Sequence, residues 1–90
     1  MIKTIQYDSD WELYEITLTD KDNNVLTLDY YIKPQHKLYY THLEFSNGKT
    51  CSGRLLKANR TTLSNEEHNT IKEFRSYIDT MTSNNIILEA

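Results

Sequence analysis

The sequence predicts an α+β fold: an antiparallel sheet of four to five strands, built on two consecutive hairpins, with one C-terminal helix packed across one face. Three observations carry this expectation. Residues 14–32 alternate apolar and polar side chains on either side of a turn-rich "DKDNN". An Asn47-Gly48 pair separates two further short strand-like runs. From Ser64 onward the apolar spacing changes from two to three and four, the period of a helix.

The opening "MIKTIQY" reads as a strand with Ile5 and Tyr7 on one face, and "DSDW" leaves its neighbour open. The next pattern is stronger. Tyr14, Ile16 and Leu18 alternate with Glu15, Thr17 and Thr19, and after the turn Leu26, Leu28, Tyr30 and Ile32 continue the alternation. Pairing Leu18 with Leu26 sets Ile16 opposite Leu28 and Tyr14 opposite Tyr30, which gathers the apolar residues on one face.

Pro34 is the one proline of the chain, and a proline cannot donate to a strand ladder. A four-residue loop at Pro34–Lys37 pairs Ile32 with Tyr39, Tyr30 with Thr41 and Leu28 with Leu43. Asn-Gly then marks a hairpin, with two registers to weigh. A two-residue loop at Asn47–Gly48 leaves Cys51 on the His42 face and divides the apolar residues. A three-residue loop, Ser46-Asn47-Gly48 with Gly48 left-handed, sets Leu43 opposite Cys51 and Tyr39 opposite Leu55, with all the apolar side chains together. A slip of one residue turns every side chain over, so burial outweighs turn preference and the longer loop is expected.

In "TTLSNEEHNTIKEFRSYIDTMTSNN" Ser64 and Glu67 form a capping box, and Ile71, Phe74, Ile78 and Met81 make an apolar stripe. "SNN" ends the helix, and "IILEA" either adds a short strand or docks on the sheet.

Ninety residues are expected to form one domain spanning 1–90, near the lower limit for a self-sufficient core. The single cysteine cannot form an internal disulfide and reads as a small buried residue in a reducing, cytoplasmic setting, with Met1 as the natural start. No apolar run approaches the ~20 residues of a membrane span. Phe, Tyr, Met, Ile, Asn and Lys total 34 residues against 8 for Gly, Ala, Arg and Pro, which suggests an AT-rich genome such as a low-GC bacterium or its phage.

The net charge of −3 is unevenly distributed: −5 over residues 1–29, +5 over 30–60 and −3 over 61–90. Such a field steers partners, and its acidic parts argue against a general nucleic-acid binder.

These registers predict three rows on the sheet face away from the helix: Leu13, Tyr31, Tyr40, Arg54; then Glu15, Asp29, His42, Ser52; then Thr17, Thr27, Glu44, Thr50. Asp29, His42 and Ser52 share the residue types of a hydrolytic relay, yet a flat face offers no oxyanion donors, and "TCSGR" is not a nucleophile elbow. Glu15, Asp29 and His42 could ligate a metal, but no His-x-x-x-His or Cys-x-x-Cys spacing accompanies them. Nothing points to a cofactor.

Exposed tyrosines beside an arginine are instead enriched at protein interfaces. The expectation is a small non-enzymatic inhibitor or regulator, phage or mobile-element encoded, of anti-CRISPR or other counter-defence type. It would occlude a larger protein or nucleoprotein complex through Tyr31, Tyr40, His42, Arg54, Glu15 and Asp29, with Asp20 and Asp22 from the acidic segment. A bacterial immunity protein or antitoxin is the related alternative. Single-stranded nucleic acid on Tyr31, Tyr40, Arg54, Lys57 and Arg60 is the competing one. A membrane partner is not expected, and the chain is expected to be a monomer or a homodimer.

Overall fold

A computed structural model describes residues 1–58 and 62–89. The first hairpins form as their alternation dictates. Strands β1 (Ile2–Asp8), β2 (Leu13–Thr19) and β3 (Val25–Tyr31) pair antiparallel in chain order. Leu18 faces Leu26, Ile16 faces Leu28 and Tyr14 faces Tyr30, as the sequence predicts. β1 takes the edge beside β2, with Ile5 opposite Ile16 and Tyr7 opposite Tyr14. Two aspartates build the turns. Asp8 accepts from the backbone N–H groups of Asp10 and Trp11. Asp20 accepts from those of Asp22 and Asn24, each at 2.9 Å. Both use their carboxylates as backbone acceptors in tight turns.

β4 (Lys37–Glu44) and β5 (Thr50–Ser52) continue the meander. The three-residue loop is present: Leu43 lies opposite Cys51, Phe45 N–H donates to the Lys49 carbonyl at 2.9 Å, and Gly48 is left-handed at φ 91°. That conformation is open to glycine at little cost.

Among the described residues the sheet has six strands rather than four to five. Gly53 (φ 78°) and Leu56 (φ 50°) reverse the chain, and β6 (Lys57–Ala58) pairs with β5. Leu56 enters the core at 2% exposure, while Leu55 stays 65% exposed on the turn and does not oppose Tyr39 as expected.

The β3–β4 register also departs from expectation. Tyr31 pairs with Lys37, Tyr30 with Leu38 and Leu28 with Tyr40, so the connection spans residues 32–36. Beyond a bulge, Thr27 pairs with His42 and Leu26 with Leu43. Thr41 is the extra residue, and its hydroxyl donates to the Thr27 carbonyl at 2.7 Å. The cause is parity. Leu38 and Tyr40 are even-numbered, Leu43 and Phe45 odd, and all four pack on the helix side. An uninterrupted strand cannot turn both pairs to one face.

Helix α1 (Asn65–Ser83) covers that face with Phe74 and Ile78, both at most 1% exposed. The Ser64–Glu67 capping box is complete. At the other end Ile86 N–H bonds the Met81 carbonyl and Asn85 N–H the Thr82 carbonyl, with Asn85 at φ 56°. This paired closure stops the helix. "IILE" then docks rather than forming a strand: Ile87 is 4% exposed, and Lys3 Nζ donates to the carbonyls of Ile86 and Ile87. The core holds Ile16, Leu18, Leu26, Leu28, Leu43 and Cys51 under Phe74 and Ile78. Each such side chain contributes roughly 1.5–3 kcal/mol on burial.

Glu67 ties the helix start to the β4–β5 loop. Its carboxylate accepts from Ser64 N–H, from Asn47 Nδ2 and from Lys49 Nζ, the last two at 2.9 Å. These donors hold its pKa at about 2, below the ordinary 4.5. Among the described residues no helix is long and apolar enough to cross a membrane.

Candidate functional site

The bulge at Thr41 redraws the face away from the helix. Its rows are Asp8, Leu13, Tyr31, Lys37; then Gln6, Glu15, Asp29, Tyr39; then Thr4, Thr17, Thr27, His42, Ser52; then Ile2, Thr19, Val25, Glu44, Thr50.

Tyr40 is therefore not on the open face. It points to the helix, where the Arg75 guanidinium carbon lies 4.6 Å from its ring centroid, a cation–π contact. Burial raises its phenol pKa, against a smaller lowering by Arg75. Tyr39, expected in the core, takes the open position and is 41% exposed. Its ring meets Tyr31 edge to face, with centroids 5.8 Å apart and planes at 85°. This is a favoured aromatic geometry.

Asp29 stands opposite Tyr39 on one side and Glu15 on the other. His42 stands opposite Thr27 and Ser52. The expected Glu15, Asp29, His42, Ser52 row is thus split, and with it both the hydrolytic relay and the metal trio. Among the described residues no group of three potential metal ligands converges. Arg54 sits exposed on the β5–β6 turn, away from the Tyr31 row it was expected to join. Arg60 lies outside the described residues. Asp20 is occupied in its turn, where it also accepts from Asn24 Nδ2 at 2.9 Å. Asp22 is exposed on that same turn, at the end of β3 remote from Tyr31. Cys51 is fully buried; burial, then the nearby Glu67 charge, pushes its thiol pKa up, which disfavours the nucleophilic thiolate.

What the open face does assemble is a shallow cleft of about 430 Å³ where β3 passes into β4. Tyr31, Tyr39 and Asp29 line it together with Pro34 and the two lysines Lys33 and Lys37. Burial, and then repulsion from Asp8, raise the Asp29 pKa above its ordinary 3.8. Among the described residues the ion pair is Lys49–Glu67, so Glu15 and Asp29 face each other without a paired cation. Like charges directly opposite on a sheet cost stability, and a cation supplied from outside relieves that cost.

A larger groove of about 950 Å³ runs between the helix and the β5–β6 turn, with Lys57, Lys72 and Arg75 on its rim. Arg75 is already engaged with Tyr40.

Tyr39 is the site residue that alternation alone assigns elsewhere. The signal for it is present in "LYYTHLEF": the apolar positions step by two, then by three, then by two. No protein-family model, no curated protein and no solved structure matches this chain, so its function rests on the chemistry of this face.

Proposed function

We propose that this protein is a non-enzymatic inhibitor or regulator that binds a larger protein, with the Tyr31–Tyr39 cleft and the Glu15–Asp29 carboxylates receiving a basic side chain of the target. The observation that carries the reading is the juxtaposition of an aromatic pair, Tyr39 exposed and Tyr31 half-buried, with two facing carboxylates that lie outside the Lys49–Glu67 ion pair of the described residues. A guanidinium or ammonium entering there gains a cation–π contact on one side and a charge-assisted hydrogen bond on the other. Rigid tyrosines give large contact area at low entropy cost, which is why they anchor interfaces.

A phage or mobile-element origin, suggested by the AT-rich composition, fits a counter-defence role of the anti-CRISPR kind. The targets of such proteins handle nucleic acid and present arginine- and lysine-lined grooves. The single-stranded nucleic-acid alternative loses two of its expected contacts, because Tyr40 lies under Arg75 and Arg54 on a separate turn.

The test is capture from a low-GC bacterial lysate by the immobilised chain, run beside a Tyr31→Ala/Tyr39→Ala variant and an Asp22→Asn control. The wild type and the control retain a common protein that the double variant loses, and the wild type restores phage plating on a defended host. Equal retention by all three, or no effect on host defence, overturns the reading.

A further inference from the structure

The two edges of the sheet are unlike. β6 has two residues, a length that offers little to a pairing strand. β1 has seven, Ile2–Asp8, with β2 on one side and no strand on the other among the described residues. Edges are ordinarily protected by proline, a bulge, or a charge directed inward or outward along the strand. β1 contains no proline, and its pairing with β2 runs without a register shift. Its one lysine, Lys3, is drawn over the helix side to the carbonyls of Ile86 and Ile87, at 3.0 and 3.1 Å.

Apolar exposure concentrates at the same place. Among the described residues six large hydrophobic side chains are exposed, and four belong to this strand or its flanks: Met1 at 49%, Ile2 at 70%, Tyr7 at 53% and Trp11 at 71%.

We infer that β1 pairs antiparallel with β1 of a second copy, about a two-fold axis at Ile5, joining two sheets into one of twelve strands. The strand is self-complementary in this register. Ile5 meets the partner's Ile5, Lys3 meets the partner's Tyr7, Thr4 meets the partner's Gln6, and Ile2 meets the partner's Asp8. No pair sets like charges together, and the strand's basic start lies along the partner's acidic end. Beyond the strand the balance reverses: residues 1–29 carry a net −5, and the two acidic thirds face each other. Salt screens that longer-range repulsion over about 10 Å at 0.1 M, so dimerisation strengthens as ionic strength rises.

Thr4 and Gln6 are exposed, lie outside the core and belong to the face away from the helix, so they can be changed without disturbing the fold. Sedimentation equilibrium of the purified chain gives a dimer mass. The T4K/Q6K variant sets like charges opposite twice and weakens the dimer at least ~tenfold, with an unchanged circular dichroism spectrum. The T4E/Q6K variant sets opposite charges in the same two places, with residue 4 beside Thr17 and the new lysine beside Glu15 within its own sheet, and restores it. A wild type that is monomeric into the millimolar range, a dimer indifferent to T4K/Q6K, a T4E/Q6K variant that stays monomeric, or a dimer that salt dissociates overturns the proposal. Loss of the Tyr31–Tyr39 contact leaves this dimer intact, so its failure and that of the target-binding reading are separable.

Discussion

At Asp29 the proposed binding role and the stability of the fold pull in opposite directions. The residue stands in mid-strand, half-buried, opposite the like-charged Glu15 and within the field of Asp8. A sequence selected for stability alone has little reason to keep a carboxylate there, and departures of this kind concentrate where a protein meets its ligand. The Asp29→Asn variant is expected to be more stable than the wild type at neutral pH, by a few tenths of a kcal/mol once solvent screening is counted, and to capture less target. The sign follows from linkage. A carboxyl whose pKa is raised by folding favours the folded state when protonated, so its cost is absent below about 3.8 and develops as pH rises through the higher folded value. Thermal unfolding of both proteins across acid pH should therefore show the variant's advantage appearing only on the neutral side. An advantage that is constant with pH, or a variant less stable than wild type at pH 7, would sink this account.

At the scale of elements, the single extra residue in β4 decides which tyrosine lies on the open face and which packs under the helix. The identities of β1 to β5 and of the helix, the first hairpin register, the Ser46-Asn47-Gly48 loop and the capping box were legible, because each rests on local alternation or on a local hydrogen-bond rule. The β3–β4 register was not legible from alternation, because one bulge exchanges the faces of Tyr39 and Tyr40. β6 was hidden for a different reason: a two-residue strand has too little sequence to show a period. The Asn47 and Lys49 bonds to Glu67 were hidden because they join segments that meet only after folding. The exchange of tyrosines makes a sharp comparison possible. Tyr40→Ala removes a ring packed between the core and Arg75, and is expected to cost on the order of 2–4 kcal/mol in urea unfolding. Tyr39→Ala removes an exposed ring and should change stability by no more than about 1 kcal/mol. Equal costs for the two, or the reverse order, would show that Thr41 does not bulge.

For the molecule as a whole, the strand order converts a charge pattern along the chain into a gradient across space. Because the six strands lie in sequence order, the −5 of residues 1–29 falls on β1, β2 and most of β3, and the bases Lys33, Lys37, Lys49, Arg54 and Lys57, against the single acid Glu44, fall on the β4–β6 side. A crossover fold would have interleaved these charges and cancelled the field. The meander instead gives the open face an acidic flank and a basic flank, with the Tyr31–Tyr39 cleft near their junction. A field of this kind acts mainly on approach: it orients the protein before contact, raises the association rate and leaves dissociation largely to the packed aromatic centre. Association with a basic target is therefore expected to slow by roughly tenfold between about 50 and 500 mM salt, while the dissociation rate changes little. Neutralising Glu15 together with Asp29 should flatten that salt dependence, whereas Tyr31→Ala should raise the dissociation rate and leave the salt slope alone. Stopped-flow or surface-capture kinetics on the retained target separate the two effects, and an association rate indifferent to salt would remove electrostatic steering from the mechanism.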